Sequence, residues 1–350
     1  MSQQNVSVLS VATAVPRHRV AQETAKDFAR AMFAEEYRDI ERLLPIFDNA
    51  QVDSRHFCMS PEWYYEEHTF PEKNALYVEH ALDLSEKAAR RALDRAGVYP
   101  SDIGAIFFVS TTGISTPSLD SKLIFRLGLS EHAGRVPIWG LGCAGGAGGL
   151  ARAADYARAY PEKLVLLVGV ELCSLTFVKG DLSKSNLIGT SIFADGAAAA
   201  LLGRGAGPEI LGSYSTTWPQ TEDVMGWDLV EEGLQVRFAR SIPQIVREKM
   251  RGNLEAACDS LGLHLKDLKH FVLHPGGPKV LEAYEEALGA ETAGRLDLSR
   301  EILKNYGNMS SVSVLFVLER FLESRNSSGE RGVLSALGPG FSSEHVFFRC

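Results

Sequence analysis

Apolar positions follow two rhythms along this chain. In one they recur every three or four residues, the spacing of a helix face; in the other they run together almost without a polar break. The first rhythm predicts a helix over 22–47, carrying Phe28, Met32, Ile40, Leu43, Leu44 and Phe47, with Pro45 ending or kinking it. It predicts another over 74–96, carrying Leu76, Ala81, Leu84, Ala88, Ala92 and Leu93, and stopped by Gly97. Further helices are expected over 119–127, from Cys143 to about residue 160, and over 243–262, 278–288, 298–304 and 310–322. The second rhythm predicts strands at 6–12, 103–110 and 163–170, another from Val136 up to the turn at Cys143, and one over 193–202. After Gly205 the pattern restarts, with strands at 210–218, 234–239, 270–274, 332–337 and 346–349. Between residues 54 and 71 the chain is irregular and aromatic. Its His56, Phe57, Trp63, Tyr64, Tyr65 and Phe70 either pack or form one wall of a substrate tunnel.

Strands apolar at nearly every position are buried on both faces, and alternation with helices implies α/β architecture with a mostly parallel sheet. The restart implies two related α/β halves, 1–205 and 206–350, with no Pro- or Ser-rich linker between them. A chain of 350 residues is long enough for both.

Composition narrows the class. Hydrophobic residues make up 45% and charged residues 23%, as in an ordinary globular protein. The net charge of −8 argues against a general nucleic-acid binder, which needs clustered Lys and Arg. The five cysteines are widely spaced and form no CxxC pair, so neither a disulfide framework nor a metal cluster is expected. The first residues lack the pattern of a signal peptide, and no apolar run approaches about 18 residues. Those features point to the reducing cytoplasm and to no membrane insertion.

The chemistry centres on VPIWGLGCAGGAGGL, residues 136–150. Two readings share these letters. Gly140, Gly142 and Gly145 form a GxGxxG between strand and helix, and Glu171 ends the next strand. That is the pattern of a dinucleotide site, with the acid on a ribose hydroxyl. Alternatively Cys143 is a nucleophile at a helix N-terminus, whose N–H groups and dipole favour a thiolate. Ala144, Gly145, Gly146 and Gly148 would then leave room for a substrate. Against the first reading, strands and helices precede the motif, and a cysteine occupies the turn where a pyrophosphate would lie. The second needs partners. His274, in VLHPGGP, ends a buried strand; Asn308, in NYGNMSS, starts a buried helix. Each taken alone could be a structural His or a helix N-cap.

Five segments together resemble the type III polyketide synthases, the chalcone synthase-like family, over nearly the whole chain. They are GLGCAGGAGGLARA around Cys143, SNLIGTSIFADGAAAALL around Phe193, HFVLHPGGPKVLE around His274, YGNMSSVSVLFVLE around Asn308, and ALGPGF around 338–340. The resemblance implies a thiolase-like fold of two duplicated βαβαβ-type halves, layered α-β-α-β-α, working as a homodimer. It implies that Cys143 carries the starter and growing chain as a thioester, while His274 and Asn308 activate malonyl-CoA. The substrates would be acyl-CoA and malonyl-CoA, with no separate cofactor and no indicated acyl carrier protein. Phe193 matches a gatekeeper aromatic. The second gatekeeper phenylalanine of the family falls at Val236, a departure that widens the cavity and would suit a long acyl starter. Thr111, Thr112, Thr116, Thr176 and Ser310 match cavity positions, Thr116 in a loop that reaches toward the partner subunit. Trp227 falls near a position held by a small residue, and Gly338, Pro339 and Gly340 match a loop that shapes cyclisation. Arg55 and then Lys279 are the candidates for the CoA phosphates. The expected product is a cyclised alkylpyrone or alkylresorcinol of bacterial type. A malonyl-CoA-only hydroxynaphthalene synthase and a single-condensation ketoacyl synthase III-like enzyme are the alternatives.

Overall fold

The computed structural model describes residues 5–34, 37, 39–324 and 328–350. β1 (Ser7–Ala14) opens it, followed by a short β2 (His18–Ala21) and α1 (Gln22–Phe33). The helix expected over 22–47 thus stops early; residues 35, 36 and 38 of that span lie outside the described residues. Pro45 starts a helix instead of ending one. It opens α2 (Pro45–Asn49), in the first turn, where a missing N–H breaks no bond. β3 (Ser54–Phe57) pairs antiparallel with β2, an order not expected in that stretch. α3 (Phe70–Ala96) begins at a capping box of Thr69 and Glu72, and Gly97 ends it in the left-handed region at φ +65°.

β4 (Ile103–Val109), α4 (Asp120–Leu127), β5 (Gly134–Ile138), α5 (Gly145–Ala159), β6 (Leu164–Leu172), α6 (Lys184–Ile192) and β7 (Asp195–Gly203) follow. Beyond them come β8 (Glu209–Thr217), β9 (Met225–Val230), β10 (Gly233–Phe238), α7 (Ile242–Ser260), β11 (Leu268–Leu273) and α8 (Pro278–Leu288). The chain closes with α9 (Asp297–Tyr306), α10 (Ser313–Glu323), β12 (Arg331–Gly338) and β13 (Ser342–Arg349). β9, unforeseen, makes a hairpin with β10.

One sheet runs β11-β12-β13-β8-β1-β7-β6-β4-β5. It contains one order twice: β4-β6-β7-β1 recurs as β11-β12-β13-β8. In both copies the first pairing is parallel and the next two antiparallel. β1 and β8 join the copies at Ser7 and Glu209. Only the β4–β5, β4–β6 and β11–β12 pairings are parallel, so the sheet is mixed rather than mostly parallel. The tight connection through 339–341 turns β13 back against β12 and leaves no other choice.

Alternation along the strands builds the layers. Phe107, Val109, Val165 and Leu167 face the same core as Leu334, Ala336, Val346 and Phe348, and α5 and α10 fill it. Ile106, Phe108, Leu166 and Val168 point the other way, under α3 and α4. Phe271, Leu273, Val333 and Phe347 do the same under α7 and α8. The result is helix, sheet, helix, sheet, helix, with α5 and α10 in the middle. β5 corrects another expectation: it is a half-exposed edge strand, not a buried one, and Pro137 fits an edge. Among the described residues no helix is long and apolar enough to cross a membrane.

Candidate active site

The two central helices start at the same place. α5 is preceded by the 3-10 turn Gly142–Ala144, which carries Cys143; α10 is preceded by the turn Ser310–Val312, just after Asn308. Glycines bring the two together. A Cβ on Gly146 would overlap the carbonyl oxygen of Ser311, and one on Gly145 would come 2.7 Å from Val109 Cγ1 and 3.1 Å from Ser311 Cβ. Gly145 and Gly146 thus make room for the turn before α10 rather than for substrate, while Gly148 faces Leu141 and Glu344. They cradle no phosphate either. Glu171, the acid of the dinucleotide reading, is wholly buried. It accepts hydrogen bonds from Thr111 N (3.0 Å), Thr112 Oγ1 (2.8 Å) and Ser311 Oγ (2.5 Å), so no ribose can reach it.

Cys143 is 7% exposed, and its Sγ lies 3.6 Å from Ser310 Oγ. Ser310 adopts φ +47°, unusual for a residue with a side chain, and its N–H donates to Asn308 Oδ1 at 2.8 Å. Asn308 Nδ2 donates to the Gly276 carbonyl at 3.1 Å, and its amide also hydrogen-bonds toward Cys143, which favours the thiolate. A Cβ on Gly276 would sit 3.6 Å from His274 Nε2, so the imidazole lies against the same turn. A continuous path of contacts thus joins Cys143, Ser310, Asn308 and His274. The main chain of His274 is fixed by its N–H to Ser335 O at 2.8 Å. Both its ring nitrogens are buried without a partner among the described residues. Buried polar atoms are seldom left so, and these are available to a ligand.

Burial drives both groups toward neutrality. It pushes the Cys143 thiol up to about 12 and the His274 imidazole down to about 3. The hydrogen bonds from Ser310 and Asn308 oppose the rise at Cys143, and burial outweighs them.

Beside this site an apolar cavity encloses about 680 Å³, part of it open to solvent. Phe193, Val236 and Thr176, expected at such a cavity, line it. So do Phe57, Tyr64 and Tyr65 from the aromatic stretch, while Trp63 instead stacks on His68. Cys173, Gly189, Phe28 and Phe177 line it as well and were missed, because nothing in their spacing marks them. The Cys173 thiol is raised by burial first, then by Glu171, Asp195 and Cys143 charges, so the cavity wall lies within electrostatic reach of the nucleophile. Phe193 is flanked by Trp227 at 6.1 Å and by Phe238, another residue not anticipated, at 5.5 Å.

Other expected cavity residues do different work. Thr112 Oγ1 is used up between Glu171 and the Leu172 N–H. Thr111 Oγ1 is buried without a partner, and Thr116 is exposed on its loop. The loop 338–340 closes on the nucleophile turn: a Cβ on Gly142 would come 2.7 Å from Pro339 Cδ, and one on Gly338 would overlap Leu141 O. Lys279 is exposed at the start of α8. Arg55 is a correction. It is 0% exposed, and its guanidinium donates inward to Thr190 O, Phe193 O, Ser191 O and Gln22 Oε1, so no phosphate can meet it.

Comparison with known proteins gives the family. Residues 1–208 match the N-terminal domain of chalcone and stilbene synthases, and residues 209–350 match their C-terminal domain. A Bacillus subtilis (strain 168) protein named "Putative chalcone synthase" is 46% identical over 97% of this chain and 98% of its own. The 1,3,6,8-tetrahydroxynaphthalene synthase of Streptomyces peucetius is 39% identical over 98% of this chain and 93% of its own. The crystal structure of 1,3,6,8-tetrahydroxynaphthalene synthase from Streptomyces coelicolor A3(2) superposes with a TM-score of 0.93 at 31% identity, covering 98% of this chain and 99% of that one.

Proposed function

The chain belongs to the chalcone and stilbene synthases, which are type III polyketide synthases, and from that premise we propose that it loads an acyl-CoA on Cys143 and extends it with malonyl-CoA. The observation that carries the reading is the path of contacts joining Cys143, Ser310, Asn308 and the turn after His274. In loading, Cys143 Sγ attacks the starter's thioester carbon, His274 takes the thiol proton, and coenzyme A leaves with it. In extension, His274 and the Asn308 amide donate to the thioester oxygen of malonyl-CoA. As the carboxylate leaves as CO2, its bonding electrons form an enolate that those two donors stabilise. The enolate carbon attacks the Cys143 thioester, the sulfur departs, and the chain is two carbons longer. None of these steps requires a metal or a separate cofactor. Release as a cyclised alkylpyrone or alkylresorcinol completes the proposal.

A long acyl starter is supported by the apolar cavity beside Val236, where a phenylalanine would fill space. The names of the two Streptomyces relatives favour a second reading, a synthase that uses malonyl-CoA alone and makes a hydroxynaphthalene. A ketoacyl synthase III-like enzyme would stop after one condensation. The cysteines, all free, fit a cytoplasmic protein. We also read the chain as two halves, 1–205 and 206–350, and as one protomer of a homodimer. Trp139 (58% exposed) and Ile114 (44%) sit together on the β5 edge, where Trp139 Nε1 donates to Gly113 O, and Phe125 is 78% exposed on α4.

Incubation of the protein with malonyl-CoA and acyl-CoAs of increasing length, read by mass spectrometry, tests the proposal. The expected result is a long-chain pyrone or resorcinol, with a starter adduct on Cys143 that Cys143→Ala abolishes. A product from malonyl-CoA alone, untouched by added acyl-CoA, would replace the first reading by the second. A single ketoacyl product would replace both.

A further inference from the structure

The guanidinium of Arg55 is wholly buried, yet among the described residues no carboxylate pairs with it. An unpaired buried cation is expensive, so its surroundings must stabilise it. What surrounds it is the C-terminal end of α6. Nη1 donates to Thr190 O at 2.9 Å and to Phe193 O at 3.0 Å; Nη2 donates to Ser191 O at 2.7 Å and to Gln22 Oε1. Helix C-terminal carbonyls are partly negative and lack partners in their own helix. The planar fork reaches three of them at once, which one ammonium could not. Burial lowers the group to about 9, so it remains protonated at neutral pH.

The segment Arg55 grips is the one that fixes two site residues. Phe193 belongs to it. On its other side, Asn308 N–H donates to Ile192 O at 2.7 Å and Ala194 N–H donates to Asn308 O at 2.9 Å, a parallel bridge between Phe193 and Asn308. The chain just before β3 is tied to the last turn of α9, the helix that leads to Asn308, since Asp53 N–H donates to Lys304 O at 2.7 Å. Gly307, at φ +71°, lets the three strands of chain meet: a Cβ there would come 2.8 Å from Ile192 O and 3.5 Å from Arg55 Cβ.

We infer that Arg55 is a positioning residue, a buried clamp on the end of α6 that holds Phe193 and Asn308 in register and so aims the Asn308 amide at the substrate. It touches no substrate itself. The inference rests on the condensing role given to Asn308 above.

The test uses the full-length protein. In Arg55→Lys, and separately in Gly307→Ala, amide exchange read by mass spectrometry should quicken about tenfold or more in peptides holding Ala194 and Asn308, and not in the peptide holding Cys143. Malonyl-CoA decarboxylation should fall about tenfold to a hundredfold in kcat with KM nearly unchanged, while starter loading on Cys143 stays within about twofold. If Arg55→Lys does not fold, Gln22→Ala and Gly307→Ala carry the same two readouts. Wild-type exchange and decarboxylation in a folded variant would overturn the assignment. So would a parallel loss of decarboxylation and loading, which is what a merely structural role predicts. A wild-type protein that cannot decarboxylate malonyl-CoA would sink the functional reading instead, and the exchange measurement would still judge Arg55.

Discussion

Burial sets a problem at Cys143 that, in the mechanism proposed above, His274 solves. Alone, the thiol is pushed up to about 12 and would be inert near neutrality. If the imidazole takes the proton, as proposed, one compensated pair replaces two uncompensated changes. Alkylation by iodoacetamide should therefore be fast at pH 7 in the wild type. In His274→Ala it should be more than about tenfold slower at that pH and recover only at alkaline pH, because each pH unit below the thiol's own value removes about nine-tenths of the thiolate. Equal pH profiles for the two proteins would rule out assistance by His274. The three central residues were legible because each ends a strand or starts a helix with glycine nearby, the positions where α/β sheets collect chemistry. Arg55 was misread for a physical reason. The letters SRHF look like a polar surface stretch, and nothing local says that the guanidinium points at the carbonyls of a helix over a hundred residues further on. Thr112 was misplaced similarly: its hydroxyl was foreseen, but not the buried Glu171 that claims it.

Among the elements, the long apolar strands were legible because burial on both faces leaves no polar position to interrupt them. β4, β6 and β7 were all found, to within a few residues. The short strands β2, β3 and β9 were missed, since four to six residues of mixed polarity carry no period. β5 was called buried from its apolar letters, which do not say that no strand lies beyond it. α5 is the clearest lesson. Its glycines were taken as clearance for a substrate, whereas Gly145 and Gly146 allow close contact with the turn before α10. Gly146→Ala tests this. The added methyl overlaps Ser311 O, and overpacking a rigid core costs about 1–3 kcal/mol. We expect a lower melting temperature together with a larger loss of turnover, because Ser310 and Asn308 ride on the displaced turn. A variant with wild-type turnover would show that the interval between the two helices is not set by glycine.

The whole molecule is one strand order used twice, and the site lies where the two copies bring their central helices head to head. The sequence hinted at two halves through its restarting rhythm, but the shared order β4-β6-β7-β1 and β11-β12-β13-β8 has no matching letters behind it, because burial constrains polarity and size rather than identity. This arrangement has a consequence for the birth of the protein. Cys143 leaves the ribosome well before Ser310, whose hydroxyl lies against its sulfur, and before Pro339, which lies against the neighbouring Gly142. At roughly 5–20 residues per second the delay is on the order of ten seconds or more. Throughout that time the sulfur belongs to an unfinished chain, titrates as an ordinary cysteine, and is open to oxidants and to other nascent thiols. Chains arrested before α10 should accordingly be labelled at Cys143 whether or not acyl-CoA is added, whereas in released protein acyl-CoA should protect it. A cysteine made early in the chain is thus sheltered in part by residues made much later.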